Sequence, residues 1–164
     1  MEIISHNKEN KRGIAKAIAV LFDDKNKVPG YLREIVLVRL IWAATENKDD
    51  GKWKKYEGQP FWSESALKKM ISNRRSGNNP FKDLRHEHSV PKKEIKARIY
   101  KSDKSETAIF KILNELAHAV VVTKEEDTLL NKRGYRSKMA KDLLDNSDSE
   151  NVFSRYNEVD IKIC

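Results

Sequence analysis

The sequence predicts a mostly helical α+β protein, on three observations. Apolar residues recur at helical spacing in several separate stretches. Strand character is confined to short segments: residues 84–90, the β-branched run 119–122 and the alternating 159–163. Thr123-Lys124-Glu125-Glu126 has the form of a capping box, which opens a helix directly after the second strand.

Taken in order, residues 1–9 read as a loose lead-in. Ile14, Ala17, Ile18, Leu21 and Phe22 mark an amphipathic helix over 11–24, and Pro29-Gly30 ends a polar turn after it. Residues 31–46 are apolar on most faces, from Leu32 through Trp42, and their length favours a buried central helix. Residues 48–62 read as a loop whose Trp53, Tyr56, Phe61 and Trp62 either stack on bases or pack the loop onto the helices. Ser63 or Ser65 caps the next helix, which runs through Ile71. A basic, turn-rich loop over 73–80 leads to the strand at 84–90. Pro91 suits the first turn of a helix carrying Ile95 and Ile99. Ile109, Ile112, Leu113 and Leu116 give one face to a helix over 105–117. Gly134 suits the end of the helix opened at Thr123. Residues 141–150 are charged and Ser/Asp-rich, and a final docked strand is expected after Arg155-Tyr156.

The 164 residues suffice for a single domain with a real core. Within it, 1–80 reads as a helical platform, 83–138 as the site-bearing unit with a helical insertion at 92–117, and 139–164 as a charged tail with the final strand. No apolar run approaches the roughly 18 residues of a membrane span, and the start lacks the pattern of a secretory signal. The single cysteine, Cys164, excludes a disulfide framework and a Cys-rich zinc site, so a reducing, cytoplasmic setting is expected. No Gly-rich phosphate loop, nucleophile elbow, His-Glu-x-x-His or EF-hand loop occurs.

Net charge is +8, and its location matters more than its size. Residues 68–101 hold eleven Lys/Arg against three Asp/Glu, so the rest of the chain sums to zero. A polyanion is the expected partner, nucleic acid first: DNA, with RNA left open. Arg74, Arg75, Lys82, Arg85, Lys92 and Lys93 are the candidate phosphate contacts.

Inside that stretch lies Arg85-His86-Glu87-His88-Ser89-Val90-Pro91. A carboxylate can hold a hard divalent cation and a neutral imidazole can take a proton from water, the two needs of metal-assisted hydrolysis. Glu87-His88-Ser89-Val90-Pro91, then residues 118–127 running from a strand into a helix, resemble the HNH nuclease family, the ββα-metal (His-Me finger) fold. His118 and Asp127 stand nine positions apart, as that family's second and third signature residues do, and Lys132 follows shortly after. The resemblance covers roughly residues 83–138 and implies a hairpin-plus-helix site in a metal-dependent endonuclease acting on DNA, of the sort found in phage, mobile elements and restriction or defence systems. It implies His88 as general base, Glu87 and Asp127 as ligands of Mg²⁺ or Mn²⁺, and His118 at the position that orients the base or the loop. His118 and Asp127 both depart from the family's usual residues, Asn and then His or Asn.

The same residues admit structural roles. Glu87 and His88 can form an ion pair at a strand edge, Asp127 can be a favourable charge near a helix N-terminus, and His118 can be a core histidine. Glu125, Glu126 and Asn131 are alternative ligands. In a regular strand Glu87 and His88 point to opposite faces, so reaching one metal requires a bend there. Two other function classes stay open: a non-catalytic nucleic-acid-binding protein, and a protein-interaction or inhibitor module docking through the aromatic loop at 53–62. Oligomeric state is not fixed by the sequence.

Overall fold

In the computed structural model of this chain, residues 7–49, 52–139 and 152–164 are described. They form seven α-helices and two two-stranded antiparallel sheets, so the protein is mostly helical α+β. Residues 140–151, which include the charged stretch 141–150, lie outside the described residues.

Helix α1 (Lys8–Phe22) begins ahead of its apolar periodicity because polar side chains anchor its start. Asn7 Nδ2 donates to the Glu46 carbonyl at 2.8 Å and Asn10 Nδ2 to the Ala43 carbonyl at 3.0 Å. Helix α2 (Gly30–Ala43) corrects the expectation of a buried central helix. It buries Leu37 and Ile41, but Tyr31 and Ile35 are 73% and 59% exposed. Its neighbours α1 and α4 cover only part of its surface, and a helix apolar all round still meets solvent wherever no element lies.

Helices α4 (Lys92–Lys101) and α5 (Glu106–Leu116) come from the expected insertion, yet they are integral to the core. α1 packs on α2 and α5, and α4 packs on the same two helices. Ile14, Ile18, Leu37, Ile41, Ile95, Ile99, Ile109 and Leu113 fill the space between the four. The first 80 residues therefore share their core with residues 92–117.

The region read as a loop after α2 contains a small hairpin, β1 (Asn47–Asp49) with β2 (Lys52–Lys54). Helix α3 (Glu64–Arg75) follows, capped by Ser63, whose Oγ accepts from the Ala66 amide at 3.0 Å. Strand β3 (Leu84–His88) pairs antiparallel with β4 (Ala119–Thr123), His88 opposite Ala119 and His86 opposite Val121. All five β4 residues are buried, because α3 covers one face and α6 (Lys124–Lys132) the other. The capping box is complete: Glu126 N donates to Thr123 Oγ1 at 3.1 Å and Thr123 N to Glu126 Oε2 at 2.8 Å. Gly134 takes φ +83 just past α6, a conformation that favours glycine.

The final strand is not formed as expected. Residues Ser154–Asn157 are a short helix, α7, and only the last residues extend. β4 is flanked on one edge by β3 and on the other by residues 61–63, through Val121 N to the Phe61 carbonyl at 3.0 Å and Ser63 N to the Val121 carbonyl at 2.9 Å. The tail can pair only with that short segment, and Trp62 and Cys164 exchange backbone hydrogen bonds at 3.1 and 2.9 Å. The alternation of Val159 and Ile161 reflects burial against Val120, Val122 and Leu130 instead of a long ladder. No helix among the described residues is long and apolar enough to cross a membrane.

Candidate functional site

Strand β3 puts its ionisable residues on two faces. Glu87 shares the α6 face with Val120, its cross-strand partner, and His86 and His88 share the other with Val121 and Ala119. No bend in the strand brings the two sets together.

On the α6 face, Glu87 meets a buried arginine. Arg155 is fully buried, and its Nη2 lies 2.6 Å from Glu87 Oε1. The same guanidinium donates to the Ser89 carbonyl at 3.0 Å, to the Tyr135 carbonyl at 2.6 Å and to the His88 carbonyl. A fork of donors thus fixes the end of β3 and the turn that follows α6. Burial disfavours the charge on Arg155, and Tyr156 and Glu87 more than offset that. Burial raises the Glu87 pKa, Asp127 adds to the rise, and Arg155 and Lys92 oppose it.

Asp127, in the first turn of α6, therefore shares the electrostatic environment of Glu87. Glu126 does not turn toward them, because its carboxylate closes the capping box and accepts from Ser63 Oγ at 2.6 Å. Glu125 is exposed and 3.5 Å from Lys69 Nζ, and Asn131 and Lys132 are exposed on the next turn.

On the opposite face, His88 is buried, with its ring edge-on to Trp42 at 4.6 Å between centroids. Burial holds its pKa well below the usual histidine range, with His86, Lys92 and Arg155 adding to that. His86 stacks on Trp42 at 5.1 Å and 19°, and its Nε2 lies 3.3 Å from Gln59 Nε2 and 3.4 Å from the Thr45 carbonyl. Burial brings His86 down to about 4. His118 is buried as well. Its ring packs edge-on to Phe61 at 5.8 Å and lines a small cavity with Lys11 and Gln59, as a core histidine would.

This arrangement bears on the divalent ion that the HNH resemblance implies. Among the described residues no group of three or more His, Cys, Asp and Glu side chains is placed to hold a metal. Glu87 already has a cation partner, and His88 lies on the other face of the sheet. Such a set does not fit a divalent cation.

The basic residues divide differently. Arg74, Arg75, Lys82, Arg85 and Lys93 are exposed, whereas Lys92 is half-buried with its Nζ 4.9 Å from the centre of the Trp42 ring. Asn73 Nδ2 donates to the carbonyls of Pro80 and Lys82, which ties the end of α3 to the basic loop. Three residues absent from the sequence expectation join Lys92: Trp42, Arg39 and Lys55, whose Nζ is 5.3 Å from the Trp42 ring centre. Spacing alone offered a signal for two of them, since Arg39 and Trp42 stand three apart in an otherwise apolar helix.

Of the aromatic loop, the Trp53 side chain lies outside what is described, and Tyr56 and Trp62 pack onto the protein. Tyr56 stacks on Phe81 at 5.0 Å and donates to the Leu84 carbonyl at 3.2 Å, and Trp62 Nε1 donates to the Gln59 carbonyl at 2.9 Å. Comparison with protein-family models, with curated proteins and with solved structures finds no match to this chain.

Proposed function

We propose that this protein binds nucleic acid through the basic stretch that runs from the end of α3, along β3, to the start of α4, and that it does so without a metal-dependent reaction of its own. One observation carries the reading. Arg74, Arg75, Lys82, Arg85 and Lys93 are exposed, and among the described residues none has a carboxylate within ion-pair distance. Three of their neighbours in sequence are matched: Lys68 with Glu64, Lys69 with Asp83 and Glu125, and Lys96 with Glu34 at 2.7 Å. Cations left open to solvent on one stretch are what phosphate contacts require, and releasing counterions on binding supplies the affinity. Binding without cleavage is supported by the pairing of Glu87 with Arg155 and by the burial of His88 against Trp42.

The test is a titration of labelled DNA and RNA between 50 and 200 mM salt, roughly the range over which phosphate contacts lose most of their affinity. Affinity is expected to fall steeply with salt, and Arg74→Glu with Arg75→Glu to weaken binding across unrelated sequences. Salt-independent binding, or none, overturns the reading and sends the search to a protein partner. Supercoiled plasmid is incubated in parallel with Mg²⁺, Mn²⁺ or EDTA. Intact plasmid is expected throughout. Metal-dependent nicking that His88→Ala abolishes would replace the binding reading with an HNH-type endonuclease.

A further inference from the structure

Trp42 lines an open cavity of about 460 Å³ together with Arg39, Leu40, Ala43, Glu46 and Lys55. Arg39, Trp42, Ala43 and Glu46 fall at helical spacing along α2 and its end, so they share one face. Lys55 and Lys92 hold their ammonium groups 5.3 and 4.9 Å from the indole centre, and His86 stacks on the same ring. Burial lowers the Lys92 pKa, Glu87 opposes that, and Arg39 adds to the lowering. Among the described residues, none of Arg39, Lys55 and Lys92 has a carboxylate within ion-pair distance.

Two cations in the cavity wall, Arg39 and Lys55, with Lys92 also over the indole and Glu46 as the one acidic residue among those lining the cavity, form an arrangement that an incoming anion relieves. Trp42, half-buried with His86 stacked on it, adds part of an aromatic surface to the cavity wall, and the volume lies within the roughly 300–1,000 Å³ typical of small-molecule sites. The ligand that combines dense negative charge with a flat ring is a nucleotide. A base locked in a duplex cannot enter such a cavity, whereas an unpaired base can. Resting on the nucleic-acid reading above, we propose that this pocket takes one unpaired nucleotide of a strand, with its phosphate at Arg39 and Lys55 and its base against the part of Trp42 that lines the cavity.

The test compares a labelled single-stranded oligonucleotide with a duplex of the same sequence by fluorescence anisotropy, and measures adenosine monophosphate and inorganic phosphate by calorimetry. The working variant is Arg39→Gln with Lys55→Gln, both exposed positions whose change leaves the core intact; Trp42→Phe, checked for folding by circular dichroism, probes the ring; and Arg74→Gln with Arg75→Gln is the control. The single strand is expected to bind about tenfold more tightly than the duplex, in line with one stacked base. The Arg39/Lys55 variant should lose that preference along with adenosine monophosphate binding, and the control should weaken both strands alike. If the pocket variant binds single strands as the parent does while the control weakens them, the pocket proposal falls and the nucleic-acid reading stands. If no oligonucleotide binds but adenosine monophosphate does, and the pocket variant loses it, the pocket stands as a nucleotide site and the wider reading falls. Inorganic phosphate binding as tightly as the nucleotide would overturn the base contact, and no binding of any probe would overturn both.

Discussion

Among the described residues, two long cationic side chains are buried to within 1% of full exclusion from solvent, Arg155 beneath the β3–β4 sheet and Lys11 on α1. Arg155 meets Glu87 and the carbonyls of Ser89, Tyr135 and His88. Lys11 reaches a small cavity beside Thr45, Gln59 and His118, and its Nζ has no hydrogen-bond partner among the described residues. The first cation organises what surrounds it; the second carries a desolvation cost that nothing nearby offsets. Because Glu87 belongs to the first arrangement, the residue that most suggests a metal site in the sequence is part of an internal clamp.

Replacing each cation by an apolar side chain of similar length tests the contrast, and the two replacements should differ in sign. Arg155→Met strands Glu87, takes this donor from the Ser89 and Tyr135 carbonyls, and leaves the His88 carbonyl with the Tyr156 hydroxyl at 3.3 Å. Unfolding by urea should show a loss of about 3–5 kcal/mol, as when one partner of a buried pair is removed. Adding Glu87→Gln should recover part of it. A loss under about 1 kcal/mol would mean that the clamp contributes no more than an exposed pair does.

Lys11→Met should stabilise. Burial lowers the Lys11 pKa from 10.5 to about 8. Between those values the unfolded chain holds the additional proton, so stability rises with pH across this window, and below it the whole cost of the buried charge is present. The expected gain for Lys11→Met is about 3 kcal/mol at pH 7, shrinking as the parent approaches pH 10. A variant that is less stable than the parent at pH 7 would show that the ammonium has a favourable role in its cavity.

The histidines of the Trp42 face extend the contrast to acid. With His86 at about 4 in the folded protein and near 6.5 when unfolded, the unfolded chain gains the proton first as pH falls. Stability from this residue is complete above 6.5 and lost toward 4, about 2 kcal/mol of it between pH 7 and pH 5. His88, lowered by burial as well, adds in the same direction. His86→Gln should flatten part of the denaturation midpoint's pH dependence. An equal dependence in that variant would assign the acid lability elsewhere.

What could be read from the sequence divides along similar lines. The helices at Ile14, Ile95 and Ile109, the two strands and the Thr123 cap were legible because each is written within a few residues, in periodicity or in a hydrogen bond that closes locally. Strand alternation likewise placed Glu87 and His88 on opposite faces. The partner each would meet was not legible. Arg155 follows Glu87 by 68 positions, and Trp42 meets His88 where α2 packs near α4, the helix that follows β3. Helix α2 looked buried because apolarity was counted without knowing how many neighbours it would have, and the tail looked like a strand because alternate burial imitates pairing. An arginine beside Tyr156 in an apolar stretch was the one local hint of the clamp, since a buried arginine must find partners.

The smallest predicted effect concerns the most local feature. Thr123 ends β4 and caps α6, and Glu126 answers it while also accepting from Ser63, the cap of α3. Thr123→Ala removes one side-chain acceptor from a helix start and should cost about 1 kcal/mol. Glu126→Ala deprives the Thr123 amide and the Ser63 hydroxyl at once, and both lie among buried atoms, so it should cost more than Thr123→Ala even though Glu126 is the more exposed residue. Thermal unfolding of the two variants decides the point. Equal costs would mean that α3 and α6 are capped independently. A larger cost for Glu126→Ala would mean that one carboxylate couples the helices on the two faces of the sheet, which also explains why Glu126 cannot turn toward Glu87 and Asp127.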